Sequence, residues 1–274
     1  MVEYTQKPHY TIDDLREIVK LLRSPGGCPW DKEQNHQTIR NDFLEEAYEA
    51  VEAIDLLDMA LMEEELGDVL LQVVFHCTLA EEEKAFDFDA VCDGICKKLI
   101  IRHPHVFGDV RAEDTDTVLR NWDAIKKETK GQETYADTLR SVAKSLPALS
   151  RAQKVGKRAG RAGMDFASVQ DALDCVLVEG AELQQAMAAG DRANIEEELG
   201  DLLFSCVNTA RHLGIDAEEA LTRATEKFIE RFAVAEQLAA AAGHKMPDMN
   251  TDELDAIWSD AKEARRKAAQ QHNS

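Results

Sequence analysis

Long hydrophobic runs are missing from this chain of 274 residues. Nothing approaches the roughly 18 apolar residues that cross a bilayer, so no membrane partner is expected. Proline (6) and glycine (14) are too scarce for a turn-dense β protein, and no stretch alternates apolar and polar residues long enough to make a strand. Cysteine is sparse too. Cys28, Cys77, Cys92, Cys96, Cys175 and Cys206 are scattered, form no C-x-x-C pair and follow no charged-then-apolar leader, which points to a reduced, cytoplasmic setting. Cys92 and Cys96 lie one helical turn apart, but with no second ligand pair they read as core packing. Positive charge is the last deficit: 32 Lys and Arg against 53 Asp and Glu leave a net charge of −21. Nothing like a basic stripe is read in the sequence to release counterions, so nucleic acid is not expected as a partner. A small phosphorylated ligand remains compatible, because a divalent cation can mediate between carboxylates and phosphates.

What is abundant is helix. Thr11 and Asp14 form a capping-box pattern, and Leu15, Ile18, Val19 and Leu22 then repeat at helical spacing up to Pro25-Gly26-Gly27. Further helices are expected from about Ile39 to Leu57 (apolar stripe Phe43, Ala47, Val51, Ile54) and from about Ala60 to Glu82 (stripe Met62, Leu66, Val69, Leu70, Val73, Cys77). Two more follow, from Asp87 to near Arg102 and from about Asp114 to Lys130. The polar run from Cys28 to Asp31 and the segment from His103 to Asp109 read as loops. After a polar connection, helices resume near Pro147, Ser168, Asn194, Asp216 and Thr251. The fold class is all-α, with domains at 1–130 and 146–274 joined by a linker at 131–145.

That division rests on an internal repeat. Glu65-Leu66-Gly67-Asp68-Val69-Leu70-Leu71 returns as Glu198-Leu199-Gly200-Asp201-Leu202-Leu203-Phe204, a shift of 133 that also carries Glu46 to Glu179 and Glu49 to Glu182. Lys98-Leu99-x-x-Arg102 returns as Lys227-Phe228-x-x-Arg231, and Trp122-x-x-x-Lys126 as Trp258-x-x-x-Lys262. Near-equal shifts in unbroken chain order describe a duplicated helical domain.

Residues three apart share a helix face, so Glu46 with Glu49, and Glu65 with Asp68, each offer a pair of oxygen ligands. At about 100° per residue both pairs lie on the same flank of their apolar stripes. An antiparallel hairpin therefore turns them toward one groove. Carboxylates gathered that closely raise one another's pKa unless a cation compensates them. Oxygen-only donors suit Mg²⁺, with Mn²⁺ as a substitute, and Mg²⁺ takes phosphate oxygens as further ligands. A di-iron bundle would want Glu-x-x-His on two helices, and the single such spacing, Glu33 with His36, lies in a polar run outside the carboxylate helices. Read alone, any one Glu-x-x-Glu is an ordinary solvated face. The repetition of all four positions, with Gly67 and Gly200 inside the helices, suggests close approach of a backbone or ligand there. Lys98, Arg102 and Lys126, with Lys227, Arg231 and Lys262, are cations that could neutralise a triphosphate. Trp122 and Trp258 either stack a base or pack at an interface.

Glu45-Glu46-x-x-Glu49 followed by Glu65-x-x-Asp68 resembles the EExxE…ExxD signature of the all-α nucleoside triphosphate pyrophosphohydrolases, in its tandem MazG form. Gly27-Cys28-Pro29-Trp30-Asp31, Arg102-His103-Pro104-His105-Val106-Phe107 and Ser145-Leu146-Pro147-Ala148-Leu149 are also similar to MazG-like sequences, so the resemblance runs through nearly the whole chain. It implies a helical bundle completed by homodimerisation and Mg²⁺-dependent hydrolysis of NTP or dNTP to the monophosphate and pyrophosphate. Glu46, Glu49, Glu65 and Asp68 would hold metal in the first half, and Glu179, Glu182, Glu198 and Asp201 in the second. Glu45 would orient or deprotonate the attacking water. Lys98, Arg102, Lys126, Lys227, Arg231 and Trp258 would surround the nucleotide. Val178 stands where a second copy of Glu45 is expected, so water activation there would need another carboxylate such as Glu196 or Glu197. A non-catalytic scaffold that senses nucleotides is the competing reading.

Overall fold

The computed structural model describes residue 2 and residues 4–108 and 134–272, with side chains described to residue 267. Among these residues the fold is all-α, without strands. The chain divides into two compact units, Met1–Lys126 and Lys127–Ser274. The helix expected over Asp114 to Lys130, and with it Trp122 and Lys126, lies outside the described residues.

In the first unit, α1 (Ile12–Arg23) starts at the Thr11/Asp14 capping box and stops at Ser24. α2 (Pro29–Glu33) is a short helix where a loop was expected; Pro29 occupies its first turn, where a missing N–H costs nothing. α3 (Arg40–Leu56) and α4 (Met59–Glu82) form a hairpin, followed by α5 (Phe88–Arg102) and the single turn α6 (Pro104–Phe107), again inside an expected loop. The second unit holds α7 (Tyr135–Arg140), a capped turn within the expected linker, then α8 (Ala148–Arg161), the hairpin α9 (Val169–Ala189) and α10 (Arg192–His212), α11 (Ala217–Ala241) and α12 (Thr251–His272). α10 begins two residues before Asn194, because the Asp191 carboxylate caps it.

The first unit's core is Val19, Ile39, Val74, Phe75 and Leu79, with Leu15, Leu71 and Phe88 against it. It covers only the C-terminal half of α4, where α1 packs. The apolar stripes expected to be buried farther along are not covered: Val51 is 52 % and Leu66 51 % exposed, and α3 buries Ala50 and Ala53 instead. No residue of α5 is buried, so Cys92 and Cys96 are exposed rather than core. In the second unit, too, the buried apolar side chains are mostly alanines (Ala172, Ala186, Ala217, Ala235, Ala239, Ala261), while Leu177, Phe228 and Ile229 remain exposed. Both units thus leave large apolar side chains without cover, and the second packs mostly alanines inward. The space around Gly67 and Gly200 is open, with no described atom within 4 Å of a would-be Cβ, so the expected close approach does not occur among the described residues. A basic stripe, not expected from the overall charge, does exist on α8: Arg151, Lys154, Lys157, Arg158 and Arg161 share one arc of that helix.

Candidate metal and nucleotide site

Each carboxylate group stands on a hairpin built in the same way. A residue with positive φ ends the first helix, Leu57 (φ 55°) in one half and Gly190 (φ 71°) in the other, and reverses the chain. An aspartate follows at once and caps the second helix. Asp58 accepts the N–H groups of Ala60 and Leu61; Asp191 accepts those of Ala193 and Asn194. With both turns alike, Glu65 and Glu198 fall at the same place on their helices.

That register brings acids together across each hairpin. Glu46, Glu49 and Glu65 offer oxygens all within 4.8 Å of one another, and Glu179, Glu182 and Glu198 do the same. Asp68 and Asp201 are not within these two triads, but they stand one turn farther along and their charge reaches them. Burial first, then the charges of Asp68, Glu49, Glu65 and Glu45, raise the pKa of Glu46. Glu65 is raised by burial, by Glu49, Glu64 and Asp68, and by a hydrogen bond with Glu49. Glu198 is raised by burial and by Glu182, Glu179, Asp201 and Glu197. These are acids held against their own repulsion, with oxygen-only donors at separations that a hard divalent cation would bridge.

A model of the MazG nucleotide pyrophosphohydrolase domain matches the chain twice, over residues 34–107 and 167–233. The chain belongs to the MazG family. It is 44 % identical over 254 residues to the nucleoside triphosphate pyrophosphohydrolase of Escherichia coli (strain K12), covering 92 % of this chain and 97 % of that protein. It is also 40 % identical over 250 residues to the nucleoside triphosphate pyrophosphohydrolase/pyrophosphatase MazG of Thermotoga maritima, covering 91 % and 95 %. Each MazG match contains one of the acidic hairpins.

Around the two MazG hairpins the surroundings differ. Glu45 is exposed on α3, whereas Val178, at the matching place on α9, is apolar and 53 % exposed. On α10, Glu196 is ion-paired to Arg192 at 3.3 Å and Glu197 lies beside Glu198. Cys175 bridges the second hairpin: its Sγ lies 3.5 Å from Glu179 Oε1 and 3.4 Å from the hydroxyl of buried Ser205 on α10. In the first MazG hairpin the position matching Ser205 is Gln72, whose buried Oε1 has no hydrogen-bond partner.

The expected cations are placed less uniformly. Lys98 is exposed and Arg102 half-buried on α5, and neither makes an ion pair with the acids. Arg231 and Trp258 come together where α11 meets α12: the Arg231 guanidinium lies 5.2 Å from the Trp258 ring centroid, and Phe228 packs on the same ring at 5.0 Å. The Lys227 carbonyl accepts from Arg265 at 3.2 Å. One face of Trp258 is therefore occupied by Arg231.

Two polar clusters were not legible in the sequence. His36 turns its Nδ1 to that of His76 at 2.8 Å, not to Glu33. Asp165 accepts from Arg211 Nη1 at 3.0 Å and from His212 at 2.8 Å, which, with Arg211 first, holds its carboxyl well below the usual range. An Asp and an Arg 46 residues apart give no local signal of pairing.

Proposed function

We propose that the chain is a Mg²⁺-dependent nucleoside triphosphate pyrophosphohydrolase, releasing the monophosphate and pyrophosphate from NTP or dNTP. The observation that carries the reading is the pair of three-carboxylate clusters at the same place in two MazG matches. The pyrophosphohydrolase names of the E. coli and T. maritima relatives support the same chemistry.

In this reading Glu46, Glu49 and Glu65, with Asp68 beside them, would hold the cation in the first half; Glu179, Glu182, Glu198 and Asp201 would do so in the second. Mg²⁺, or Mn²⁺ in its place, supplies charge to polarise the phosphate chain and to acidify water. Glu45, free on the same helix, accepts the proton of the attacking water. Lys98, Arg102, Lys227 and Arg231, with Lys126, take up phosphate charge, and Trp258 flanks the nucleotide. Val178 offers no proton acceptor, so the first half carries most of the turnover.

The boundaries 1–130, 131–145 and 146–274 serve as the working domain limits. The uncovered Val51, Leu66, Leu177 and Phe228 favour a homodimer that completes each bundle, since apolar surface of this extent is costly in water. Six free thiols fit the cytoplasm, and no described helix is long and apolar enough to cross a membrane.

The test is pyrophosphate release from a panel of NTPs and dNTPs, with Mg²⁺ and with EDTA. Mg²⁺-dependent release supports the reading. Tight nucleotide binding without release would favour the sensing scaffold, and a sedimenting mass of one chain at working concentration would remove the dimer.

A further inference from the structure

About one residue in five of this chain is acidic, yet from Thr138 to Met164 there is no Asp or Glu at all, while Arg140, Lys144, Arg151, Lys154, Lys157, Arg158 and Arg161 fall in that run. α8 forms its core, and its packing sorts the two faces. Gly156 and Gly160 face inward, where a Cβ would stand 2.6 Å from Asn208 Oδ1 and 2.4 Å from Asp165 Oδ2. Gln153 is inward as well, bonded to the carbonyl of Ile215 and the N–H of Ala217. At about 100° per residue the five α8 cations lie on one arc about 120° wide, centred about 130° round the helix from those three, with Arg151 and Arg158 half-buried. Lys154 and Lys157 are exposed. Arg158 is anchored by Thr138 O and, at 2.8 Å, by Ser141 Oγ, which leaves its charge uncompensated. Among the described residues no carboxylate pairs with Arg151, Lys154, Lys157 or Arg158.

We propose that this outward face of α8 is a docking surface for the sugar–phosphate backbone of a nucleic acid. Charge complementarity selects a polyanion, and spacing selects phosphate. From Arg151 to Arg158 the cations span about 10 Å of helix axis, over which one strand presents about three phosphates. Folded acidic proteins have no such regular repeat of charge. α8 holds no aromatic residue to stack a base, so the contact is to backbone and independent of base sequence. The net charge of −21 opposes approach of any polyanion and makes the binding weak and confined to this face. The inference is independent of the pyrophosphohydrolase reading, because these residues lie outside the acidic hairpins.

The experiment is fluorescence anisotropy of labelled single-stranded DNA and RNA of about 20 nucleotides, longer than one site. The full chain is titrated in EDTA at low salt, so that metal at the carboxylates cannot bridge to phosphate. Binding should weaken with salt at a log–log slope of about −2 to −3, about 0.7 per phosphate contact. Lys154→Glu with Lys157→Glu should weaken it by more than about tenfold and leave Mg²⁺-dependent turnover unchanged. Lys154→Gln with Lys157→Gln should lower the slope by about 1.4, and it answers the same question should the charge reversal fail to fold. No binding up to about 10⁻⁴ M protein would overturn the proposal. So would equal binding by the variants, or displacement by poly-glutamate as effective as by DNA, which would assign the face to an acidic protein.

Discussion

His36 and His76 meet Nδ1 to Nδ1 at 2.8 Å with their rings within 3° of parallel, so one proton lies between them and a second has no place. His76 also touches Phe43, three residues before Glu46, so that α3 and the segment before it are both tied to α4. Burial, then the charge of His36, lowers the His76 pKa below 6.5. A histidine whose folded pKa is depressed contributes stability above its unfolded pKa and loses it as pH falls through the folded value. His36→Phe should therefore destabilise the chain by about 1 kcal/mol near pH 8, and the gap from the parent should close toward pH 5. Urea midpoints at both pH values measure this; a gap that stays constant would contradict the shared proton.

The acidic clusters carry the opposite sign. Glu46, Glu65 and Glu198 have folded pKa values raised above 4.5. Each therefore costs stability once pH rises through its folded value, and the cost vanishes below the unfolded one. Glu65→Gln should raise the melting temperature of the metal-free chain at neutral pH while removing the Mg²⁺-induced rise. Calorimetry with and without Mg²⁺ reads both effects, and a destabilised Glu65→Gln without metal would refute the mutual repulsion.

Turnover should rank the halves. Glu49→Gln is expected to lower pyrophosphate release far more than Glu182→Gln, and Glu45→Gln to cost about 10² to 10⁴ fold, the range for a general base. Val178→Glu in the Glu49→Gln background should restore part of the activity. Loss of turnover only on changing Glu182 would reverse the ranking.

The Cys175 thiol lies between the Glu179 carboxylate and the Ser205 hydroxyl, and it is expected to orient that carboxylate. In the Glu49→Gln background, Cys175→Ala should raise the Mg²⁺ concentration for half-saturation several-fold, and Cys175→Ser, which keeps a donor, should restore it. An alanine variant with unchanged Mg²⁺ dependence would leave Cys175 only a packing role.

The Asp165–Arg211 pair stabilises the second unit. Arg211 is 14 % and Asp165 31 % exposed at the side chain, so Asp165→Ala strands a largely buried guanidinium and should cost about 3 kcal/mol. The contribution is present above the ordinary carboxylate pKa and fades as pH falls below it, since the folded value is depressed. Denaturant unfolding at neutral and acid pH measures both; an unchanged midpoint would refute it.

Helix identity, the duplication and the acids worth attention were legible in the sequence because each is a local pattern: caps such as Thr11 and Asp216, spacings of three and four, and one shift shared by four carboxylates. Short helices such as Pro29–Glu33 were missed because a single turn has no periodicity to read. Only the tertiary structure decided which face of each helix is covered. The stripe through Val51 and Leu66 reads as core, yet no described residue covers it, and α3 buries Ala50 and Ala53 instead. It alone decided the partners of His36, Cys175 and Asp165, and which way the cations of α8 face. Periodicity reports what one helix can offer along its own axis; what it meets depends on contacts between residues far apart in the chain, which no local pattern encodes.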